Sequence, residues 1–326
     1  MASASAPLRI LITGATGFVG PHLAAAIRQR FGDRAELTAT ALDAGDDAVL
    51  GAIKALDVTD RAAVEATIGD LQPTHLVNLA ALAAPAAANA DPALGWRVHL
   101  DGPRNLGHAI LAAAPACVLV HIGSGLAYGR TASDRPATEQ TVLAPRDDYG
   151  ASKAAADLAL GALVAKGLRC VRFRPFNHTG PGQTDAFVVP AFARQIAQIE
   201  AGVAPPLLRV GNLDGQRDFL DVRDVAAAYV EAIARSELLE PGLILNVASG
   251  LPRRIGDILQ QLLALTPEPI DVQRDPARDR ADPADIIVGD ATRARTLLDW
   301  KPTIDFATTI ADVLNDQRAR IGRRAE

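Results

Sequence analysis

One eight-residue turn limits this chain more than any other feature. Thr13-Gly14-Ala15-Thr16-Gly17-Phe18-Val19-Gly20 follows the apolar run Leu8–Thr13, which reads as a buried strand. The same turn opens an amphipathic pattern over residues 18–31, which reads as a helix. Gly14 lets the chain turn tightly, Gly17 lets the backbone approach a pyrophosphate, and Gly20 lets helix and strand pack closely. The helix N-terminus, with Phe18 and Val19 at its mouth, supplies N–H groups and a positive dipole. A glycine triplet alone marks any turn; a strand before it and a helix after it give it the dinucleotide-binding reading.

The pattern repeats down the chain. Residues 36–42, 75–79, 117–122 and 168–173 read as further strands, and helical patterns over 61–69, 92–114 and 149–166 separate them. Strand–helix alternation predicts an α/β fold with a doubly wound parallel sheet, and ligands outside the carboxyl ends of its strands. The second half is less regular, with turn clusters at 180–183, 205–206 and 212–215 and a charged, proline-containing stretch at 274–284. A returning helix at 222–234 and strand at 243–247 rejoin the first unit. The expected division is a dinucleotide-binding domain of residues 1–177 plus 218–248, with 178–217 and 249–326 forming a smaller α/β substrate domain.

Composition excludes several classes. With 33 basic against 38 acidic residues the net charge is −5, unlike the basic surface of a nucleic-acid binder. Two cysteines, Cys117 and Cys170, cannot build a disulfide framework. The N-terminus lacks a basic region, and no apolar run is long enough to cross a membrane, so a cytoplasmic protein is expected. His22, His75, His99, His108, His121 and His178 are scattered without metal-ligand spacing, so no metal is expected.

Asp43 follows the last glycine of the turn at the distance of an acid that binds adenosine ribose hydroxyls, which points to NAD(H). Asp46 and Asp47 stand close by and leave NADP(H) open. Asp57 is placed to meet the adenine edge, and the N-cap of the following helix falls more naturally to Asp60.

Tyr149-Gly-Ala-Ser-Lys153 sets a phenol and an ammonium at i and i+4 on one helical face. With three tyrosines, and Lys54, Lys153, Lys166 and Lys301 as the lysines, chance would supply such a pair about 0.04 times. An adjacent cation is expected to lower the tyrosine pKa toward the working range. Ser124, at the end of the strand predicted over 117–122, could hydrogen-bond the oxygen whose protonation Tyr149 controls.

These motifs, in this order and spacing over nearly the whole chain, resemble the extended short-chain dehydrogenases/reductases. The resemblance implies a Rossmann domain with Ser124, Tyr149 and Lys153 as catalytic groups, Lys153 also holding the nicotinamide ribose. It places Val58, Leu79, Ala80, Ala81 and Pro175 along the cofactor beside the residues above, and implies a nucleotide-sugar substrate and a homodimer formed through helices 92–114 and 149–166. Arg172-Phe-Arg-Pro-Phe-Asn177-His-Thr-Gly-Pro-Gly-Gln183, the segment Arg217-Asp-Phe-Leu-Asp221 and Asp275-Pro-Ala-Arg278-Asp-Arg280 are similar to motifs of the reductases of GDP-4-keto-6-deoxymannose. By that likeness Asn177, Arg217 and Arg278 would hold a diphosphate, with Ser124 and Gly125 beside the sugar; a surface ion pair is the plain alternative for either arginine.

A dehydratase needs an acid and a base beside the serine, and Gly125, Leu126 and Ala127 move no protons. An epimerase/reductase of the fucose-synthase type needs a cysteine near Ser124, and neither cysteine is there. The expectation is reduction of a GDP-4-keto-6-deoxyhexose to GDP-D-rhamnose or its C4 epimer. A nucleotide-sugar 4-epimerase and a non-catalytic dinucleotide-binding regulator are the alternatives. Two departures from the family pattern stand near the expected cleft: His99 where asparagine is usual, and the apolar loop Ala81-Leu-Ala-Ala84.

Overall fold

A computed structural model describes residues 7–132, 135–278 and 286–325. Through its first unit the chain runs β1 (Leu8–Thr13), α1 (Val19–Phe31), β2 (Ala35–Ala41), β3 (Gly45–Asp47), β4 (Gly51–Ala55), α2 (Arg61–Leu71) and β5 (His75–Asn78). Next come α3 (Pro85–Ala90), α4 (Pro92–Trp96), a π-helical turn at Arg97–Asp101, α5 (Gly102–Ala113) and β6 (Val118–Ile122). A 3-10 turn at Gly125–Tyr128, α6 (Asp148–Val164) and β7 (Arg169–Pro175) complete this part.

The remainder comprises β8 (Asn177–Thr179), α7 (Val188–Glu200), β9 (Leu207–Val210), β10 (Gln216–Asp221), α8 (Val222–Ala234) and β11 (Leu243–Val247). It continues with β12 (Pro252–Arg254), α9 (Ile255–Leu263), β13 (Asp271–Arg274), β14 (Ile286–Ile287), α10 (Thr292–Leu298) and α11 (Phe306–Ala325).

The doubly wound sheet is present, with strand order β11-β7-β6-β5-β1-β2-β4-β3. All its pairings are parallel except that of β3 with β4. Its central strands, such as β1, β5 and β6, are largely buried on both faces, which is why they read as continuous apolar runs. Ile10, Ile12, Val77 and Val120 pack toward α1 and α8, through Leu23, Ile27, Val225 and Tyr229. Leu11, Leu76, Leu119 and Cys170 pack toward α2, α5 and α6, through Val64, Ile68, Leu106, Ile110 and Leu160. Chain order reverses between β1 and β5, and the crevice outside their carboxyl ends is the ligand-binding position of such sheets.

Outside this sheet, β12, β10, β14 and β8 form a small sheet and β13 pairs with β9. A separate core gathers Phe192, Ile196, Leu208, Phe219, Ile258, Leu262, Ile310 and Leu314 from α7, α9 and α11 with β9 and β10.

Several boundaries differ from expectation. The helix expected over 92–114 is α4, a π-helical turn and α5, joined end to end. β2 ends at Ala41, so Asp43 lies two residues beyond the strand, exposed, where the chain enters the β3–β4 hairpin.

Candidate active site

The glycine turn has the expected shape. Gly14 has φ +67°, and a Cβ there would stand 2.6 Å from the backbone of Ala80. This bare contact lets the turn after β1 lie against the segment leaving β5. The Gly17 N–H donates to the Gly14 carbonyl, and a Cβ at Gly20 would meet the Ala15 carbonyl oxygen at 1.7 Å. Phe18 immediately precedes α1, whose start has no side-chain cap and no acid in its first turn. The Gly20 N–H donates to the Gly17 carbonyl and Pro21 has no N–H, so what the start of α1 offers an anion such as a dinucleotide pyrophosphate is the Val19 N–H and the positive end of the helix dipole. The Phe18 ring lies between His22 and His178, at 5.7 and 5.9 Å.

The neighbouring loops are tied by short bonds. Asp57 accepts from the N–H and the hydroxyl of Thr59, both at 2.8 Å, while Asp60 caps α2 through the Ala63 N–H, as expected. Val58 is buried and presses on Gly102, where a Cβ would lie 2.7 Å from its Cγ2. After β5, the Leu79 N–H donates to the Thr13 carbonyl and the Ala80 N–H to Asn78 Oδ1, with Ala81 following half-buried. Pro175 ends β7.

Ser124, Tyr149 and Lys153 come together beyond the end of β6. Ser124 is extended (φ −162°) and its Oγ accepts from the Leu126 N–H, capping the 3-10 turn. Asp147 caps α6 through the Gly150 N–H, and Asn89 Oδ1 takes the Tyr149 N–H. Together these fix the first turn of α6, which carries the phenol. Tyr149 is hydrogen-bonded to Ser124. Lys153 Nζ donates to the Ile122 carbonyl at 3.2 Å.

The electrostatics correct one expectation. Burial pushes Tyr149 up to about 12, against a smaller downward pull from the Ser124 hydrogen bond. The ammonium is directed at a backbone carbonyl, and burial lowers Lys153 itself to about 8. The phenol is therefore held protonated at neutral pH, the state a proton donor needs.

Beside Ser124, a Cβ at Gly125 would stand 3.0 Å from the Phe176 ring, and one at Gly289 would stand 2.3 Å from it. Phe176 thus fills the space where a side chain at 125 would project. Cys117 and Cys170 are free, buried and away from this turn, each thiol pushed up to about 12 by burial.

The residues expected to hold a diphosphate are less gathered. Asn177 begins β8, half-buried and paired in register with Phe219 of β10. Arg217, on β10, donates to the Gln216 carbonyl at 2.8 Å. Arg278 follows β13, pairs with Asp275 at 3.5 Å and is 48% exposed, the geometry of a surface ion pair. Arg280 of the same motif lies outside the described residues. Sequence reading also passed over Asn89, Ser152 and Phe176 as site residues; for Ser152 its place inside Tyr149-Gly-Ala-Ser-Lys153 was the available signal.

The sequence profile described as the NAD dependent epimerase/dehydratase family matches residues 10–248. The chain is 33% identical over 318 residues to GDP-6-deoxy-D-mannose reductase of Pseudomonas aeruginosa, covering 96% of this chain and 98% of that protein. It is 28% identical over 306 residues to GDP-6-deoxy-D-talose 4-dehydrogenase of Aggregatibacter actinomycetemcomitans, covering 89% and 91%. The solved structure of RMD from Pseudomonas aeruginosa complexed with NADPH superimposes with a TM-score of 0.80 at 30% identity, covering 96% of this chain and 99% of that one.

Proposed function

The chain belongs to the NAD dependent epimerase/dehydratase family, and from that membership we propose that it reduces the 4-keto group of GDP-4-keto-6-deoxy-D-mannose, using NAD(P)H. The product is GDP-D-rhamnose or its C4 epimer, GDP-6-deoxy-D-talose. The observation that carries reduction over dehydration is Phe176 against Gly125: elimination of water needs an acid beside Ser124, and the ring occupies the space such a side chain would enter. The full-length likeness to two enzymes of GDP-6-deoxyhexoses supports the substrate class.

In this reading Gly14, Gly17, Phe18, Val19 and Gly20 hold the pyrophosphate, Asp43 and Asp57 the adenosine, and Val58, Leu79, Ala80, Ala81 and Pro175 line the rest of the cofactor's path. The reduced nicotinamide, when bound, supplies a hydride for C4 of the sugar. Tyr149 gives its phenolic proton to the C4 oxygen as that oxygen gains negative charge, so the carbonyl becomes an alcohol. Ser124 orients the same oxygen by a hydrogen bond. The Lys153 ammonium stabilises the tyrosinate left behind and holds the nicotinamide ribose. Gly125 leaves room for the sugar, and Asn177, Arg217 and Arg278 meet the diphosphate, which requires Arg278 to leave Asp275.

The same reading takes residues 1–177 with 218–248 as the cofactor domain and 178–217 with 249–326 as the substrate domain; the core around α7, α9 and α11 supports it, while Ile287, Ala294, Leu298 and Trp300 pack with the large sheet and Phe219 with the second core. It makes the enzyme a homodimer through α5 and α6, where Leu158 is 66% exposed. It places the enzyme in the cytoplasm, whose reducing conditions suit two free thiols. Among the described residues no helix is long and apolar enough to cross a membrane.

The test is reduced-nicotinamide absorbance during incubation with GDP-4-keto-6-deoxymannose, with NADH and NADPH in parallel. Stoichiometric loss with formation of a GDP-6-deoxyhexose is expected. Tyr149→Phe should lower kcat by at least about 100-fold while cofactor binding persists. Full activity in that variant would overturn the mechanism, and no oxidation of either cofactor by the wild type would overturn the reductase reading.

A further inference from the structure

His99 is 1% exposed in the π-helical turn between α4 and α5, a type of helical irregularity that recurs at functional sites. Its ring meets two partners of fixed polarity. The backbone N–H of Leu82 can only donate, and it points at Nε2 from 3.1 Å. Nε2 is therefore the bare, accepting nitrogen, and the single proton of the neutral ring sits on Nδ1. Nδ1 faces Ser152 Oγ at 2.9 Å, and the Ser152 hydroxyl donates to the Tyr149 carbonyl at 3.0 Å. Every proton on this path has one consistent place: Leu82 N–H to His99, His99 to Ser152, Ser152 to the backbone of Tyr149. The edge of the imidazole also meets the Tyr149 ring, with centroids 5.3 Å apart and planes at 85°.

We propose that His99 is a positioning residue that fastens the loop leaving β5, which runs past Leu79, Ala80 and Ala81, to the turn of α6 that presents the Tyr149 phenol. The assignment rests on the catalytic reading of Tyr149 given above. Fixing both to one rigid ring sets the distance between the cofactor's path and the proton donor. A charged imidazole would have no acceptor for the Leu82 N–H. Burial and the nearby Lys153 hold the ring neutral, lowering its pKa to about 3.

Two substitutions separate bonding from packing. His99→Phe keeps a ring edge against Tyr149 and removes both hydrogen bonds. His99→Asn can still accept through Oδ1 and donate through Nδ2, but gives up the ring. The expected result is a loss in kcat and in NADPH affinity of about tenfold or more for His99→Phe, with His99→Asn within about threefold of wild type. Ser152→Ala, which leaves the core ring in place, should lower kcat while changing NADPH affinity little.

Fluorescence titration of NADPH measures affinity without turnover, so it reads the coupling even if the wild type reduces no GDP-4-keto sugar. A long-range proton–nitrogen spectrum of the imidazoles should show His99 protonated on Nδ1 alone between pH 6 and 9 (about the range of neutral histidine). The reverse ranking, with His99→Phe active and His99→Asn impaired, would reduce His99 to a packing residue and overturn the proposal. So would an Nε2-protonated ring, or wild-type affinity and kcat in His99→Phe.

Discussion

At the scale of single residues, Lys153 stands out because its burial works against the fold. The side chain is 4% exposed and its pKa falls from 10.5 to about 8. A base with a lowered folded pKa binds its proton less well in the native state, so the unfolded chain holds more protons between pH 8 and 10.5. Stability from this group therefore rises with pH across that window and is depressed below it, by about 3 kcal/mol at neutral pH. Lys153→Met should raise the midpoint of thermal unfolding at pH 7 while abolishing turnover. For the same reason, kcat/KM for reduction should fall as pH rises through about 8, as the ammonium loses its charge. On the proposed placement of Asp43 beside the adenosine ribose, Asp43→Arg should shift the ratio of kcat/KM for NADPH over NADH upward by about tenfold or more, since it would replace a charge that repels a 2′-phosphate with one that binds it. Ser124, Tyr149 and Lys153 were legible in the sequence because strand end and helix spacing bring them together locally. The direction of the Tyr149 shift was not, because it depends on burial and on where the Lys153 amine points.

At the scale of elements, the glycine turn was legible in both its residues and its shape. Gly20→Ala would set a Cβ 1.7 Å from the Ala15 carbonyl oxygen, a backbone atom held in place by the Ala15 N–H bond to the Thr40 carbonyl. A cost of about 3 kcal/mol or more is expected, measurable as a lower denaturant midpoint together with weaker cofactor binding. The central parallel strands were legible because each is a short, largely buried apolar run. The β3–β4 hairpin was not, since nearly all its residues are exposed and no alternation marks them. The π-helical turn was hidden for a different reason: the helical pattern expected over 92–114 reads straight through it, and only the structure shows the wider turn on which His99 is buried.

Across the whole molecule, the irregular second half is joined by contacts that no local pattern announces. Asp218, fully buried on β10, accepts from the Ser249 N–H and hydroxyl, the Gly250 N–H and the Gly289 N–H, at 2.8, 2.6, 2.9 and 3.2 Å. One carboxylate so binds β10, the exit of β11 and the segment after β14. Asp218→Ala leaves several donors unpartnered and should cost about 3 kcal/mol, read from the urea midpoint, with Asp218→Asn less severe. Pairings such as Gln216 with Ile286 join residues far apart in sequence. Its strands include Gln216–Asp221, polar over half its length, and Ile286–Ile287, only two residues long; neither shows the continuous apolar run that marks the large sheet, which is why this half stayed indistinct.

The two thiols give the molecule a practical property. Cys117 and Cys170 are each 1% exposed, and burial holds both in the protonated, unreactive form. Alkylating dyes and mild oxidants will pass over the native chain, so no cysteine has to be removed before labelling. Replacing Leu238, 81% exposed at the surface, by cysteine would give one addressable point for a fluorophore or a solid support, on an enzyme otherwise indifferent to thiol chemistry.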